Sequence, residues 1–205
     1  MRRVVVNEFM SLDGVVQAPG GADEDTSGGF AHGGWHLQYL DDLLRQRVLE
    51  GIAEAGAFLL GRRTWEIFAA YWPHAPEEER VIAEPLNAKP KYVASRTLVE
   101  PLAWENSTLL AGDVAEAVAG LKREEGGDVH VIGSSELVRA LIGHGLVDEL
   151  RAHDRPARAR RRQAPLPRRQ CPQVAPAGRR AGREHGRDPR DVRPGRLRGG
   201  PARPV

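Results

Sequence analysis

The chain has 205 residues, a length typical of one domain or of one domain with an appendage. Its formal net charge of +2 conceals two unlike parts, because residues 1–150 carry 13 Lys and Arg against 24 Asp and Glu, whereas residues 151–205 carry 17 Arg against 4 acids. The single cysteine, Cys171, excludes an internal disulfide, and no apolar run approaches the ~20 residues of a membrane span. We therefore expect a cytoplasmic protein with no membrane partner.

The chain begins with a strand pattern that leads into a long loop. Residues 3–9 are rich in β-branched side chains and end before the turn signal Asp13-Gly14, which predicts a strand. Residues 17–34 are rich in glycine and acids, which predicts a loop long enough to act as a lid or binding segment. Apolar spacing predicts the next elements, which are a helix over 37–53, a strand over 57–60 and a helix over 62–72.

The rest of the first 151 residues alternates short apolar strands with amphipathic helices. This alternation is typical of a mostly parallel sheet covered by helices on both faces. The predicted elements are a helix over 80–86, strands over 91–95 and 107–110, a helix over 114–122, a strand over 128–132, a helix over 134–142 and a strand that begins at 146.

Three segments, 58–66, 92–98 and 129–141, place a Gly or a Ser directly after a short apolar strand. Open α/β sheets bind ligands outside the carboxyl ends of their strands, where helix N-termini offer free N–H groups to a phosphate. Nearby arginines would add charge-assisted contacts. Each segment alone is equally well explained by a turn with a surface arginine, but the three together indicate a phosphate-bearing cofactor.

The chain resembles the reductase domain of riboflavin biosynthesis (RibD C-terminal-like), within the dihydrofolate reductase-like superfamily. The resemblance rests on VVVNEFMSLDGVV (4–16), HGGW (32–35), LLGRRTWEIFAAYWP (59–73), KYVASRTL (91–98) and VIGSSELVRALIGHGLVDEL (131–150). It implies an α/β three-layer sandwich with a mostly parallel sheet, and a homodimer. It also implies NADPH-dependent hydride transfer to a small heterocycle such as a 5-amino-6-(5-phosphoribosylamino)uracil-like pyrimidine. The alternatives are a module that binds NADPH or a pterin without turnover, and a truncated inactive homologue.

The resemblance assigns the residues that would hold NADPH. Gly61, Arg62, Arg63 and Thr64 would lie at the phosphate end, Ser95 and Arg96 would hold the 2′-phosphate, and Gly133, Ser134 and Ser135 would cradle the pyrophosphate. The contact to the 2′-phosphate favours NADPH over NADH.

The resemblance also places Ser11, Leu12, Asp13 and Gly14 beside the nicotinamide and the substrate. Asp13 is the only acid in a motif at the expected active centre, where it would orient a ring or assist proton delivery. The alternative is that Asp13 is an ordinary Asp-Gly turn residue. His32 and Trp35 are predicted to close over the substrate, with anchoring of the loop as the alternative for Trp35. The histidines show no ligand spacing, so no metal is expected.

Residues 152–205 differ from the rest of the chain, with nine prolines and no Ser, Thr, Lys, Ile, Phe or Trp. Except for Cys171, every residue there can be encoded by a codon that begins with G or C, as expected when a GC-rich gene is read one base out of frame. Regrouped from the second base, the codons of residues 160–167 permit Gly-Gly-Gly-Lys-Arg-Leu-Phe, a stretch that the resembled family carries at this point.

We therefore predict a reductase domain over residues 1–151 whose C-terminal strands are missing, and a disordered Arg- and Pro-rich tail over 152–205 that is a frameshift product. The alternative is a natural basic arm that binds polyanions through phosphate contacts. Nucleic acid is not otherwise an expected partner.

Overall fold

The computed structural model describes residues 1–155, and these residues form one six-stranded sheet. Its strands are β1 (Val4–Ser11), β2 (Ala57–Gly61), β3 (Lys91–Ala94), β4 (Ser107–Leu109), β5 (Val129–Ile132) and β6 (Glu149–Arg155). The strand order is β4-β3-β2-β5-β1-β6, and each neighbouring pair is parallel. All the strands therefore end at one side of the sheet, which we call the carboxyl edge.

Five α-helices in the described residues cover the two faces of this sheet. They are α1 (Asp42–Glu54), α2 (Arg62–Tyr71), α3 (Arg80–Ala88), α4 (Val114–Arg123) and α5 (Ser135–Gly143). The first three pack around Phe58, Leu60 and Val93 on one face, and the last two pack around Val131 on the other. Because both faces are covered, the central strands are mostly apolar, and Glu8 of β1 and His130 of β5 are buried polar exceptions. The predicted α/β three-layer sandwich with a parallel sheet is confirmed.

The long loop between β1 and α1 is built around a small apolar cluster of its own. Val15, Ala18, Phe30 and Trp35 are buried together, and the Trp35 indole nitrogen donates to the carbonyl oxygen of Gln17 at 2.9 Å. The loop predicted over 17–34 is therefore packed, although it contains only one short 3-10 turn, Ser27–Gly29.

The helix predicted over 37–53 begins later than its apolar spacing indicates. Leu37–Tyr39 forms a separate 3-10 turn, and α1 starts at Asp42. The reason is Asp41, whose carboxylate accepts from the backbone N–H of Leu44 at 2.8 Å and so caps the helix.

Strand β6 continues past Arg151, where the composition of the chain changes. Its backbone pairs with β1 from Val5–Glu149 to Ser11–Arg155. Ladder hydrogen bonds join backbone groups, so the pairing tolerates a change of side chains. Residues 152–155, which were predicted to belong to the disordered tail of 152–205, are the end of β6. The rest of the predicted tail, residues 156–205, lies outside the described residues, and the frameshift stays a prediction. No helix within residues 1–155 is both long and apolar enough to cross a bilayer.

Candidate functional site

Two helices, α2 and α5, begin side by side at the carboxyl edge, because they follow the neighbouring strands β2 and β5. Neither N-cap residue, Gly61 for α2 or Ser134 for α5, makes a side-chain capping hydrogen bond. By contrast, α1 and α4 are capped by Asp41 and Asp113. The N–H groups of a first turn have no partner within their helix. The starts of α2 and α5 therefore offer N–H groups to an anion.

The hydroxyl group of Ser134 joins these two helix starts. Its Oγ accepts from the backbone N–H of Gly61 at 3.0 Å and lies 2.7 Å from Oγ1 of Thr64. A Cβ atom on Gly61 would overlap the Ser134 side chain, so only glycine fits there. Gly133 and Ser134 have φ values of 66° and 65°, in the left-handed region. The structure thus brings together four of the residues predicted to hold a cofactor.

The predicted phosphate-binding arginines differ in what they contact. Arg62 donates to both carboxylate oxygens of Glu66 at 2.9 and 3.0 Å, and Arg63 pairs with Asp25 of the long loop at 3.2 Å. Arg96 is exposed and forms no ion pair with any residue among 1–155. Two of the three arginines are therefore already paired with carboxylates.

The carboxylate of Asp25 is held in its ionised form. Partial burial acts against this, but hydrogen bonds from Ser27 and the charge of Arg63 lower the pKa of Asp25 below its usual value. A cleft of about 380 Å³ lies beside this ion pair, lined by Asp23, Glu24 and Glu66 among others. The contact ties the loop to the first turn of α2.

Ser95 and Ser135 each use their hydroxyl group locally. The Ser95 hydroxyl follows β3 and accepts from the backbone N–H groups of Thr97 and Leu98 at 3.1 and 3.0 Å. The Ser135 hydroxyl, in the first turn of α5, accepts from a guanidinium nitrogen of Arg139 at 3.3 Å. The Ser95 bonds shape the turn that presents Arg96.

The turn after β1 contains the residues predicted to border the substrate. The Ser11 hydroxyl donates to Oδ1 of Asp13 at 2.6 Å and accepts from the N–H of Val15 at 2.9 Å. Gly14 has a φ of 83°, which glycine adopts without strain, and Leu12 is exposed. The hydrogen bond from Ser11 holds the Asp13 carboxylate within the turn. The catalytic role of Asp13 stays a prediction.

The two residues predicted to close over the substrate lie in different environments. Trp35 is buried in the apolar cluster of the loop with its indole N–H bonded, which is the anchoring arrangement. His32 is exposed and contacts the edge of the Phe30 ring. Neither residue is brought against Asp13 by any described contact.

His36 belongs to this region, and sequence reasoning missed it. Its ring stacks on Phe9 of β1, with 4.3 Å between ring centroids. Its Nδ1 atom lies 2.5 Å from the carbonyl oxygen of Pro19, and a carbonyl can only accept, so Nδ1 carries the proton. The Nε2 atom of a neutral His36 is therefore an acceptor. The signal in the sequence that could have identified His36 is its position directly after the HGGW motif (32–35).

Glu8 of β1 is the second residue that sequence reasoning missed. Its side chain points to the face covered by α4 and α5, as do Val4 and Val6, and the residue is only 4% exposed. Its Oε2 atom has no hydrogen-bond partner among the described residues. Burial and, to a smaller extent, the charge of Glu24 raise the pKa of Glu8 to about 8, against the opposing charge of Arg139. Glu8 is therefore mostly protonated at neutral pH.

Comparisons with known proteins agree with this architecture. The family model of the RibD C-terminal domain matches residues 2–157. YyaP, an uncharacterized protein of Bacillus subtilis strain 168, is 28% identical over 153 residues, which are 73% of this chain and 72% of YyaP.

Solved structures with a similar fold include a Shewanella sp. PV-4 protein provisionally assigned to riboflavin biosynthesis. It aligns with a TM-score of 0.50 and 16% identity over 77% of this chain and 78% of its own. Dihydrofolate reductase of Enterococcus faecalis, in complex with NADP(H) and RAB-propyl, aligns with a TM-score of 0.48 and 19% identity over 80% and 77% of the two chains. At 16% identity, the alignment with the Shewanella protein shows a shared fold and nothing more.

Proposed function

Because the chain belongs to the RibD C-terminal domain family, a reductase family with a dihydrofolate reductase-like fold, we propose that it is an NADPH-dependent reductase. It would transfer a hydride to a small heterocycle, the class that includes 5-amino-6-(5-phosphoribosylamino)uracil-like pyrimidines. The observation that carries this proposal is the pair of uncapped helix starts at Gly61 and Ser134, joined by the Ser134 hydroxyl at the carboxyl edge.

The residues at this edge fit the phosphates of a dinucleotide. Hydroxyl groups, first-turn N–H groups and guanidinium groups are the donors that phosphate oxygens accept from. We assign the pyrophosphate to Gly133, Ser134 and Ser135, the phosphate end to Gly61, Arg62, Arg63 and Thr64, and the 2′-phosphate to Ser95 and Arg96. NADH has no 2′-phosphate, so it would use only part of this set of donors and would leave Ser95 and Arg96 without a phosphate.

Arg62 and Arg63 would exchange their carboxylate partners for phosphate oxygens. The Arg62–Glu66 pair is exposed to solvent, and such a pair stabilises a protein by only about 0–1 kcal/mol, so its exchange has a small energetic cost. In the Arg63–Asp25 pair the arginine is exposed and the aspartate is partly buried. Arg96 has no such partner to release among residues 1–155. We therefore expect Arg96 to contribute most of the preference for the 2′-phosphate.

When it is bound, NADPH supplies the hydride. The protein's part would be to orient the substrate and move a proton. Asp13, fixed by its bond from Ser11, would hold a proton at its carboxylate, and Nε2 of His36 would accept a hydrogen bond from the substrate ring. Leu12 and Gly14 would contact the ring directly, with His32 at the rim and Trp35 holding the loop in place.

Titration of the full chain with NADPH, followed by nicotinamide fluorescence, tests the proposal. We expect saturable binding, and oxidation of bound NADPH when a suitable pyrimidine or pterin is added. Ser134→Gly should weaken binding by roughly 5- to 10-fold through loss of the hydroxyl donor. Its fold should persist, since a φ of 65° suits glycine. Thr108→Ala, at an exposed site on β4, is the control. Folded protein that binds no NADPH would refute the proposal.

A second candidate is a module that binds NADPH or a pterin-like ligand without turnover. It is favoured by one observation, the engagement of the Asp13 carboxylate by Ser11 within the turn. NADPH binding without oxidation by any pyrimidine or pterin tested would support this candidate over the reductase.

We also propose that the protein is a cytoplasmic homodimer whose ligand is a small molecule. The homodimer is proposed from the family resemblance. The cytoplasm is proposed because a chain with a single cysteine has no internal disulfide and suits a reducing compartment. Sedimentation equilibrium of the full chain would measure the assembly, and a monomer at all concentrations would contradict it.

A further inference from the structure

Glu8 of β1 lies beside the turn that leads from β5 into α5. The pairing of β1 with β5 ends at Asn7 and Ile132, and Ile132 is also the last residue of β5. Glu8 is therefore the first residue of β1 beyond the end of this neighbouring strand. The chain leaves β5 at this level through Gly133 and Ser134, which have φ values in the left-handed region. The register of the sheet thus puts a carboxyl group next to the turn to which we assign the pyrophosphate.

The side chain of Glu8 is directed towards the start of α5. Side chains alternate along a strand, so Glu8 shares a face with Val6, which packs in one cluster with Val138 of α5. The charge on α5 that acts on Glu8 is that of Arg139. The Arg139 guanidinium donates to the Ser135 hydroxyl, in the first turn of the helix, at 3.3 Å. Register, strand face and electrostatic neighbour therefore agree in placing the Glu8 carboxyl group near the N-terminal end of α5.

Two incompletely bonded groups meet at this place. Glu8 is only 4% exposed, and its Oε2 atom makes no hydrogen bond with any residue that the structure describes. Helix α5 starts at Ser134 without a side-chain cap. Buried polar atoms without partners are unfavourable, and folded proteins keep few of them. An anion at the start of α5 would satisfy the first-turn N–H groups, and it would also satisfy a Glu8 carboxyl group that carries a proton.

The surroundings of Glu8 favour this protonated form. Burial has the largest effect, the negative charge of Glu24 in the long loop adds to it, and together they raise the pKa of Glu8 to about 8. The charge of Arg139 on α5 acts in the opposite direction. On β6, the residue opposite Glu8 is Ala152, which carries no charge. A neutral carboxyl group has an O–H that a phosphate oxygen accepts, whereas an ionised one can only accept.

We infer that a pyrophosphate group binds at Gly133 and Ser134 only when Glu8 is neutral, so that the proton on Glu8 controls the affinity of the site for its cofactor. This inference rests on the proposed binding of NADPH. An ionised Glu8 would repel the pyrophosphate, because two negative groups interact strongly where water is excluded. A neutral Glu8 would donate a hydrogen bond to it instead. Cofactor binding would then take up a proton wherever Glu8 is ionised in the free protein.

Titration of the full chain with NADPH at two pH values tests this inference. Since the pKa of Glu8 is about 8, only about one tenth of the protein keeps a neutral Glu8 at pH ~9, so the affinity should fall by about 10-fold from pH ~7. The 2′-phosphate of NADPH ionises near pH ~6 and does not change over this range. Glu8→Gln should bind equally at both pH values, and Glu78→Gln, at an exposed carboxylate, should follow the unsubstituted chain.

The difference between Glu8→Gln and the unsubstituted chain is the quantity to compare. Other groups that titrate in this range, such as Lys91 with a pKa of about 8, affect both proteins alike. Tryptophan fluorescence shows that each protein is folded at both pH values before ligand is added. If Glu8→Gln loses affinity as steeply as the unsubstituted chain, Glu8 does not control the site.

Proton uptake provides a second readout. Isothermal titration calorimetry at pH ~8, in buffers of different ionisation enthalpy, should show about half a proton taken up per NADPH bound. Glu8→Gln should take up none of it. The neighbours of Glu8 should move the pH at which affinity is lost in opposite directions, downwards in Glu24→Gln and upwards in Arg139→Gln. An unchanged pH dependence in both variants would contradict the inference.

ADP-ribose separates this inference from the proposed function. Its pyrophosphate is esterified at both ends and keeps a constant charge over this pH range, and it has neither a nicotinamide nor a 2′-phosphate. Binding of ADP-ribose, measured by thermal shift, that weakens with pH in the unsubstituted chain and not in Glu8→Gln supports the inference even if NADPH does not bind. NADPH binding with no dependence on pH refutes the inference and leaves the proposed function standing. Folded protein that binds neither compound refutes both.

Discussion

The Glu8 carboxyl group lies buried in β1, and this burial raises its pKa from 4.5 to about 8. In the unfolded chain the group ionises near 4.5. Between these two pKa values the native protein keeps a proton that the unfolded chain has lost. The contribution of Glu8 to the free energy of unfolding is therefore fully present below 4.5, and it is lost as the pH rises towards 8.

The size of this effect follows from the two pKa values. Each unit of difference corresponds to about 1.4 kcal/mol. Allowing for incomplete protonation near the upper pKa, the contribution of Glu8 falls by about 3 kcal/mol between pH ~5 and pH ~7.5. In Glu8→Gln the side chain is neutral at every pH, so this loss disappears. The glutamine amide would also be buried without a partner, but this cost to the free energy of unfolding is the same at every pH. The quantity to compare between the two proteins is therefore the change in the free energy of unfolding with pH.

Urea unfolding followed by tryptophan fluorescence measures both proteins across this pH range. We expect Glu8→Gln to gain about 3 kcal/mol of stability relative to the unsubstituted chain between the two pH limits. Glu78→Gln, at an exposed carboxylate, is the control and should follow the unsubstituted chain. Parallel curves for the Glu8 variant would show that the buried carboxyl group does not hold a proton, and would refute the reasoning.

Four further predictions concern other parts of the chain. Asp25→Asn should free Arg63 and tighten NADPH binding by about 2- to 5-fold in a fluorescence titration, and unchanged affinity would contradict competition between the carboxylate and phosphate. Arg96→Gln should weaken NADPH binding by about 10-fold and leave NADH unaffected; equal losses would exclude a role in reading the 2′-phosphate. Lys91→Met should lower the free energy of unfolding by about 2 kcal/mol in urea, because the buried ammonium donates to three backbone carbonyls near the end of α3; a variant of unchanged stability would show that water replaces it. Sequencing of the gene across codons 145–160 should reveal a frameshift, and an intact frame in independent isolates would exclude one.

The parallel sheet was predictable because apolar strands alternate with amphipathic helices along residues 1–151. Most element bounds agree with the structure to within a few residues, as for the helix predicted over 114–122 and observed at Val114–Arg123. The largest difference, the late start of α1, came from the capping carboxylate of Asp41, which competes with apolar spacing. Local side-chain hydrogen bonds of this kind decide where a helix begins.

The candidate site was predictable in its backbone and less so in its charges. Glycine and serine after parallel strands must share the carboxyl edge, so Gly61 and Ser134 could be expected to meet. The partner of Arg63 could not be predicted, because Asp25 is 38 residues away in a loop whose path depends on tertiary packing. Glu8 was hidden among apolar neighbours, although an acid inside a strand covered on both faces must be buried.

The apolar cluster of the long loop has a consequence for the entropy of ligand binding. Val15, Phe30 and Trp35 hold the loop in one conformation, so its backbone entropy is lost when the chain folds and not when a ligand arrives. Contacts outside the cluster also hold the loop, through Arg63 of α2 and through Phe9 of β1. A ligand that binds against this loop would therefore have little backbone to order, and more of its favourable contacts would be retained as affinity.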